Sequence, residues 1–189
     1  MGYRTISGIG MVQKVSLFKL LVSVLLCQFA EAIGPRFTAS SLGNWYLLLE
    51  KPAFTPSSQV FFPTWVTLYT LMGISLYLVW EKGLQEQKVK KGMLIFGVQL
   101  GLNVLWSFLF YGQKSPYYAF VKILLLWLAI FLTILKFREI SKMASYLLFP
   151  YILWVSFAAL LNYYLWILNS WFKIWNLLLD SWTIQTYFR

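Results

Sequence analysis

FPTWVTLYTLMGISLYLVW, residues 62–80, runs for nineteen residues without a charged side chain. A helix needs about 20 apolar residues to cross the ~30 Å hydrocarbon layer of a bilayer, so the part of this stretch from Thr64 to Trp80, near that length, reads as a spanning helix. Its apolar residues do not alternate with polar ones, as the strands of a membrane barrel would. Outward from it the same texture recurs in blocks at 15–33, 93–111, 117–135 and 144–168. Five blocks predict an all-α integral membrane protein: a five-transmembrane-helix bundle forming one domain over residues 1–169, followed by an amphipathic tail at 170–189.

Composition agrees. Of 189 residues, 60% are hydrophobic, 20% aromatic and 12% charged, where soluble domains carry about 25% charged residues. The net charge is +10, yet the basic residues gather between the apolar blocks, which reads as an orientation signal and not as nucleic-acid binding. With an odd number of spans, one side holds Arg4, Lys14, Lys19, Lys82, Lys88, Lys90, Lys91, Lys136, Arg138 and Lys142. The other holds Arg36, Lys51, Lys114, Lys122, Lys173 and Arg189. Ten against six places the N-terminus in the cytoplasm and the long first loop, 34–63, outside.

The first block has a rival reading. Lys14, an apolar run and "AEA" at 30–32 also resemble a secretory signal peptide with its cleavage site. Lys19 inside the run favours a spanning helix, with Lys19 snorkelling to one interface and Glu31 near the other.

Cys27 is the single cysteine, and the chain has no histidine. A disulfide within the chain, a His-rich metal site, a histidine-ligated haem and any Ser-His-Asp or Cys-His constellation are thereby excluded. The six acidic residues, Glu31, Glu50, Glu81, Glu86, Glu139 and Asp180, fall at block ends or in loops. No metal ligand set and no covalently bound cofactor is expected; a bound molecule would be held by stacking and hydrogen bonds.

The polar residues inside the blocks carry the functional signal. Gln99, Asn103 and Trp106 recur at helical spacing, as do Tyr151, Trp154, Ala158 and Asn162, and as do Trp65, Tyr69 and Met72. Side-chain amides in a membrane face a partner helix or a cavity. One such stripe is explained by interhelical adhesion and by the aromatic belts of membrane boundaries. Three stripes with the small residues Gly73 and Ala158 beside large rings suit a flat-walled apolar pocket for a rigid or planar hydrophobic ligand. Gly97 and Gly101 form a G-x-x-x-G spacing, the pattern of a homodimer face.

Between the first two blocks stands WYLLLEKPAFTP, residues 45–56, which mixes aromatic rings with Glu50, Lys51 and two prolines. A span cannot hold that combination, and a plain loop does not need it. Together with "FPTWVTLYTLMGISLYLVW" at 62–80, "QLGLNVLWSFLF" at 99–110 and "PYILWVSFAALLNYYLWILN" at 150–169, it resembles the TspO/MBR family, the tryptophan-rich sensory and translocator proteins. The resemblance covers most of residues 15–169.

It implies a five-helix bundle whose first loop closes over a pocket. The lid residues would be Trp45, Tyr46, Lys51, Pro52 and Phe54, the prolines stiffening it. Family members bind tetrapyrroles such as protoporphyrin IX, and several bind cholesterol or synthetic ligands. By motif the ligand-binding residues here would be Trp65, Gln99, Asn103, Trp106, Trp154, Ala158 and Asn162. Phe54 and Ser57 replace the Trp and second Pro of the common K-P-x-W-x-P-P pattern, which implies a looser lid. The sterol-type pattern fails, because the first basic residue after Tyr163 and Tyr164 is Lys173.

The reading that results is a membrane receptor or sensor for a porphyrin. Two alternatives stand beside it. One is an enzyme that degrades porphyrin with light and oxygen, where Trp65 and Trp154 would be the catalytic side chains and porphyrin the substrate. The other is a transporter or scaffold with no tetrapyrrole ligand. The expected partners are the lipid bilayer, a small hydrophobic ligand and a second copy of the chain, with no nucleic acid. Lacking an Arg- and Ser-rich transit segment, the chain is expected in a bacterial inner membrane, with the mitochondrial outer membrane as the alternative. In the tail, Trp171, Trp175, Leu178 and Trp182 share one helical face, which predicts a helix lying in the interface.

Overall fold

The structure, a computed structural model, describes residues 16–42, 48–107 and 115–187. Among them the chain forms six helices and no strand: α1 (Leu17–Leu42), α2 (Ser58–Trp80), α3 (Gln87–Ser107), α4 (Pro116–Arg138), the short α5 (Lys142–Leu147) and α6 (Phe149–Tyr187). Five are long, so this is the expected membrane helical bundle. The stretches Gln59–Trp80, Pro116–Arg138 and Lys142–Ser170 are long and apolar enough to cross a bilayer. Helix α3 opens on Lys88, Lys90 and Lys91, and α1 contains Lys19, Glu31 and Arg36, which dilutes both.

Helices α1 and α2 run antiparallel and touch at one glycine. A Cβ on Gly73 would lie 2.6 Å from Val24 Cα, so only glycine lets the backbones approach this far. Gly73 therefore serves helix contact and does not open space beside the rings. Farther along, Gln28 Nε2 donates to Val66 O (3.0 Å) and to Thr70 Oγ1 (2.8 Å). At the other end Lys19 Nζ meets a Glu81 carboxylate oxygen at 3.0 Å. Gly83, at φ +96°, then turns the chain out of α2, a conformation that suits glycine. A Cβ on Gly92 would meet Ile140 Cδ1 at 3.0 Å, so the start of α3 lies against the α4–α5 connection. The two connections thus share one end of the bundle, where Lys82, Lys88, Lys90, Lys91, Arg138 and Lys142 are exposed.

Several expected boundaries are corrected. The loop expected over 34–63 is shorter, because α1 continues to Leu42 and α2 begins at Ser58. Pro63, the last residue of the expected loop, sits inside α2, and the Thr64 and Thr67 hydroxyls donate to the Val60 and Pro63 carbonyl oxygens around it. The fifth block is two helices. Ser141 caps α5, its Oγ accepting from Ala144 N–H, and α6 starts afresh with Pro150 in its first turn, where a missing N–H leaves no bond unmade. The boundary expected at residue 170 is absent: α6 runs unbroken through 39 residues to Tyr187, so the tail continues the last helix. The described part of the third block ends at Ser107.

The core lies where α2, α3, α4 and α6 meet, around the fully buried Met72, Phe96, Ile130, Phe137, Tyr151 and Val155. Phe96 and Phe137 stack at 5.7 Å and 12°, locking α3 to α4.

Candidate functional site

The site grows from three helices whose inward faces converge. On α3 the spacing of four puts Gln99 and Asn103 side by side, and both are buried. Across from them Tyr151, in the first turn of α6, is completely buried. Its hydroxyl accepts from Asn103 Nδ2 at 2.6 Å and from Gln99 Nε2 at 3.1 Å. A phenol with two amide donors forms a polar knot in an apolar bundle, where each bond is strong because no water competes. Tyr151 belongs to the stripe read from the sequence, but its place at the centre of this knot was not legible there.

One turn along α6, Trp154 enters a box of rings. It meets Trp65 edge-on at 6.3 Å and 88°, Phe61 at 6.0 Å and 77°, and Phe157 at 5.7 Å. Trp65 in turn lies 6.0 Å from Tyr69 on its own helix. The expected residues Trp65, Gln99, Asn103 and Trp154 are thus brought together. Trp106 and Ala158, both half-buried, pack against the same core. Asn162 is buried, yet its Nδ2 donates to Ala158 O on its own helix at 2.7 Å. Phe61 and Phe157 line the box although sequence reasoning passed over them; Phe61 lay in the segment read as loop.

Three buried polar atoms on these helices have no hydrogen-bond partner among the described residues: Gln99 Oε1, Trp154 Nε1 and, two turns farther along α6, Asn162 Oδ1. Each such atom costs about 1–3 kcal/mol when left unmatched. Two acceptors and one donor facing aromatic walls form a set that a ligand carrying both N–H and C=O groups would satisfy. The donor set holds no metal ligands, since no group of three His, Cys, Asp or Glu side chains comes together among the described residues.

The described loop, 48–57, fastens to α6. Glu50 N–H donates to Asn169 Oδ1 and Asn169 Nδ2 donates to Glu50 O, each at 3.1 Å. Pro52 O accepts from Thr55 N–H (3.0 Å) and Thr55 Oγ1 (2.7 Å), which makes a tight turn. That turn presents Phe54 edge-on to Tyr164 (5.3 Å) and Phe157 (6.2 Å). Lys51 Nζ donates to Leu49 O at 3.3 Å, and Leu49 packs with Phe61, Leu161 and Leu165. Pro52 is half-buried beside the turn. Trp45 and Tyr46 lie outside the described residues. Gly97 and Gly101 stand exposed on α3, and a Cβ on either would meet nothing within 4 Å.

The sequence profile of the TspO/MBR family matches residues 23–167. The chain is 43% identical over 157 residues to the "Tryptophan-rich protein TspO" of Archaeoglobus fulgidus, covering 82% of this chain and all of that protein. It is 37% identical over 136 residues to the "Translocator protein" of Ovis aries, covering 71% and 80% of the two chains. With the "Protein CrtK" of Rhodobacter capsulatus it shares 33% over 155 residues, covering 82% and 95%. A profile match over most of the chain, together with relatives matched over most of their length, places it: the protein is a membrane protein of the TspO/MBR family.

Proposed function

We propose that this protein is a membrane receptor or sensor for a hydrophobic planar ligand, a tetrapyrrole such as protoporphyrin IX, held between α2, α3 and α6 beneath the 48–57 loop. The observation that carries the reading is the trio of buried polar atoms without partners, Gln99 Oε1, Trp154 Nε1 and Asn162 Oδ1, beside indole and phenyl walls. Ring faces supply area for a macrocycle, and the amides and the indole N–H supply direction. The Trp65–Trp154 and Phe61–Trp154 contacts leave no room for a second ring between them. Binding would therefore part these rings and exchange their mutual contacts for contacts with the ligand.

Gly97 and Gly101, bare on the outside of α3, are the surface on which a second copy would pack. The end bearing Lys82, Lys88, Lys90, Lys91, Arg138 and Lys142 would face the cytoplasm, in a bacterial inner membrane by preference and a mitochondrial outer membrane otherwise.

The test is a titration of detergent-purified protein with protoporphyrin IX in the dark, followed by tryptophan quenching. Saturable binding, weakened about tenfold by Trp154→Phe and by Asn103→Ala, is expected, matching the loss of one or two directed contacts. Absence of saturation overturns the reading and leaves a transporter or scaffold. Repeating the titration under light in air separates a receptor from an enzyme: porphyrin loss that depends on Trp65 or Trp154 would mark degradation.

A further inference from the structure

Glu31 was expected near a membrane interface, and the helix register places it elsewhere. Val24 of α1 lies against Gly73 of α2. Seven residues on from Val24 is Glu31, and seven residues back from Gly73 is Val66. In an antiparallel pair the two stand level, so Glu31 stands at the height of Trp65 and Val66 on α2. The Gln28 bonds to Val66 and Thr70 fix the same register one turn away. The apolar span of α2 begins at Gln59, seven residues earlier, so at ~1.5 Å per residue Glu31 is about 10 Å inside it. A glutamate stem is too short to carry its carboxylate over that distance to headgroups.

The side chain lies at the edge of the buried face of α1. Glu31 is one turn from Cys27, which is fully buried, and adjacent to Ala30, also buried. Tyr69, buried on α2 one turn from Trp65, is near enough to Glu31 and to Tyr151 for both to act on it electrostatically. Glu31, Tyr69 and Tyr151 with its amides thus belong to one polar neighbourhood of the bundle. Glu31 itself takes part in no ion pair and no side-chain hydrogen bond among the described residues, whose ion pairs are Lys19–Glu81, Lys88–Glu86 and Lys136–Glu139. It remains half-buried, and so open to an incoming group. An ionisable residue inside a span normally has a partner, and one without a partner in its own chain marks a ligand or ion path.

We propose that Glu31 is the anionic end of the ligand site and takes a hydrogen-bond-donating nitrogen of the bound molecule, a protonated amine most strongly. This rests on the pocket reading above and deepens it. The amides on α3 and the carboxylate on α1 polarise the site, so a ligand carrying carboxylates must hold them away from α1. Relative to a neutral ring, a cationic ring gains a charge-assisted hydrogen bond.

The test uses three porphyrins with one ring: protoporphyrin IX, its dimethyl ester, and a diamine in which both propionates are replaced by aminopropyl arms. Each is titrated by tryptophan quenching into the full-length protein and into Glu31→Gln, whose folding is checked by circular dichroism. The wild type is expected to bind the diamine about tenfold or more tighter than the ester. Glu31→Gln should erase that preference by weakening the diamine far more than the ester, while diacid binding rises or holds. Equal preference in both proteins overturns the assignment of Glu31 and leaves the pocket intact. No saturation with any of the three overturns both. Should Glu31→Gln misfold, Glu31→Asp provides the second arm: it keeps the charge and should keep the direction of the preference, and its loss counts against the proposal.

Discussion

The Asn169 side chain grips the backbone of Glu50 from both sides, 119 residues away in sequence, accepting from its N–H and donating to its carbonyl oxygen at 3.1 Å each. A third bond, Asn169 Nδ2 to Leu165 O at 2.8 Å, holds the amide in position before the loop arrives. The pairing imitates a short backbone ladder, so the loop gains attachment where it has no secondary structure of its own. These bonds are exposed, and each contributes about 0.5–1.5 kcal/mol net. Asn169→Ala should therefore raise the opening of residues 48–57 by about 5–30-fold, the equivalent of about 1–2 kcal/mol. Amide hydrogen exchange across that segment in ligand-free protein measures it. Phe54→Ala should add a further increase through its lost ring contacts with Tyr164 and Phe157; exchange unchanged in both variants would mean that the loop is held elsewhere.

Tyr151 supports two amides at once, which makes its hydroxyl worth more than one hydrogen bond. Tyr151→Phe keeps the ring and leaves Gln99 Nε2 and Asn103 Nδ2 buried without their acceptor. Each stranded donor costs about 1–3 kcal/mol, so thermal unfolding in detergent should show a loss of about 2–4 kcal/mol. Combining it with Asn103→Leu should cost less than the sum of the two single changes, because the second change removes a donor that the first had already stranded. Strict additivity would dissolve the knot into independent contacts.

What the sequence disclosed divides along physical lines. Bilayer thickness imposes lengths on apolar runs, so the 62–80 run and its four counterparts revealed the bundle. The spacing of Gln99 and Asn103, and of Tyr151 and Trp154, revealed which faces turn inward, because amides avoid lipid. Whether a helix continues through a proline is a tertiary matter, and so the loop expected to reach residue 63 ends earlier, while Pro150 gave no sign that the last block divides. Asn169 and Phe61 escaped for one common reason: each matters through a neighbour far away in sequence, and no local pattern announces such a contact.

The ion pairs at the basic end differ in consequence. Lys19 Nζ meets Glu81 Oε1 at 3.0 Å with Glu81 only 13% exposed, while Lys88 and Glu86 stand 3.9 Å apart with both more than half exposed. Solvent screens the second pair almost fully. Glu81→Gln should lower stability by about 1 kcal/mol by loosening the start of α1 from the end of α2, and Glu86→Gln should change nothing measurable. The contrast is read from paired thermal unfolding curves at low and high salt. Equal effects would mean that the Lys19–Glu81 contact is as solvated as the surface pair.

The glycines of α2 and α3 offer the sharpest contrast within one residue type. A methyl group on Gly73 would lie 2.6 Å from Val24 Cα and 3.1 Å from Ser23 O, both backbone atoms that cannot turn aside. Gly73→Ala must push α1 off α2, and overpacking of this kind costs about 1–3 kcal/mol. The same change at Gly97 meets open space and removes a flexible residue from a helix interior, a gain of about 0.5–1 kcal/mol where nothing else intervenes. Unfolding of the two variants under identical detergent conditions should move in opposite directions. Gly97→Leu with Gly101→Leu takes the argument one step further: if α3 pairs with a second copy through these glycines, the bulky pair abolishes cross-linked dimers without unfolding the monomer. Dimers that survive both leucines would place the contact between copies on another helix.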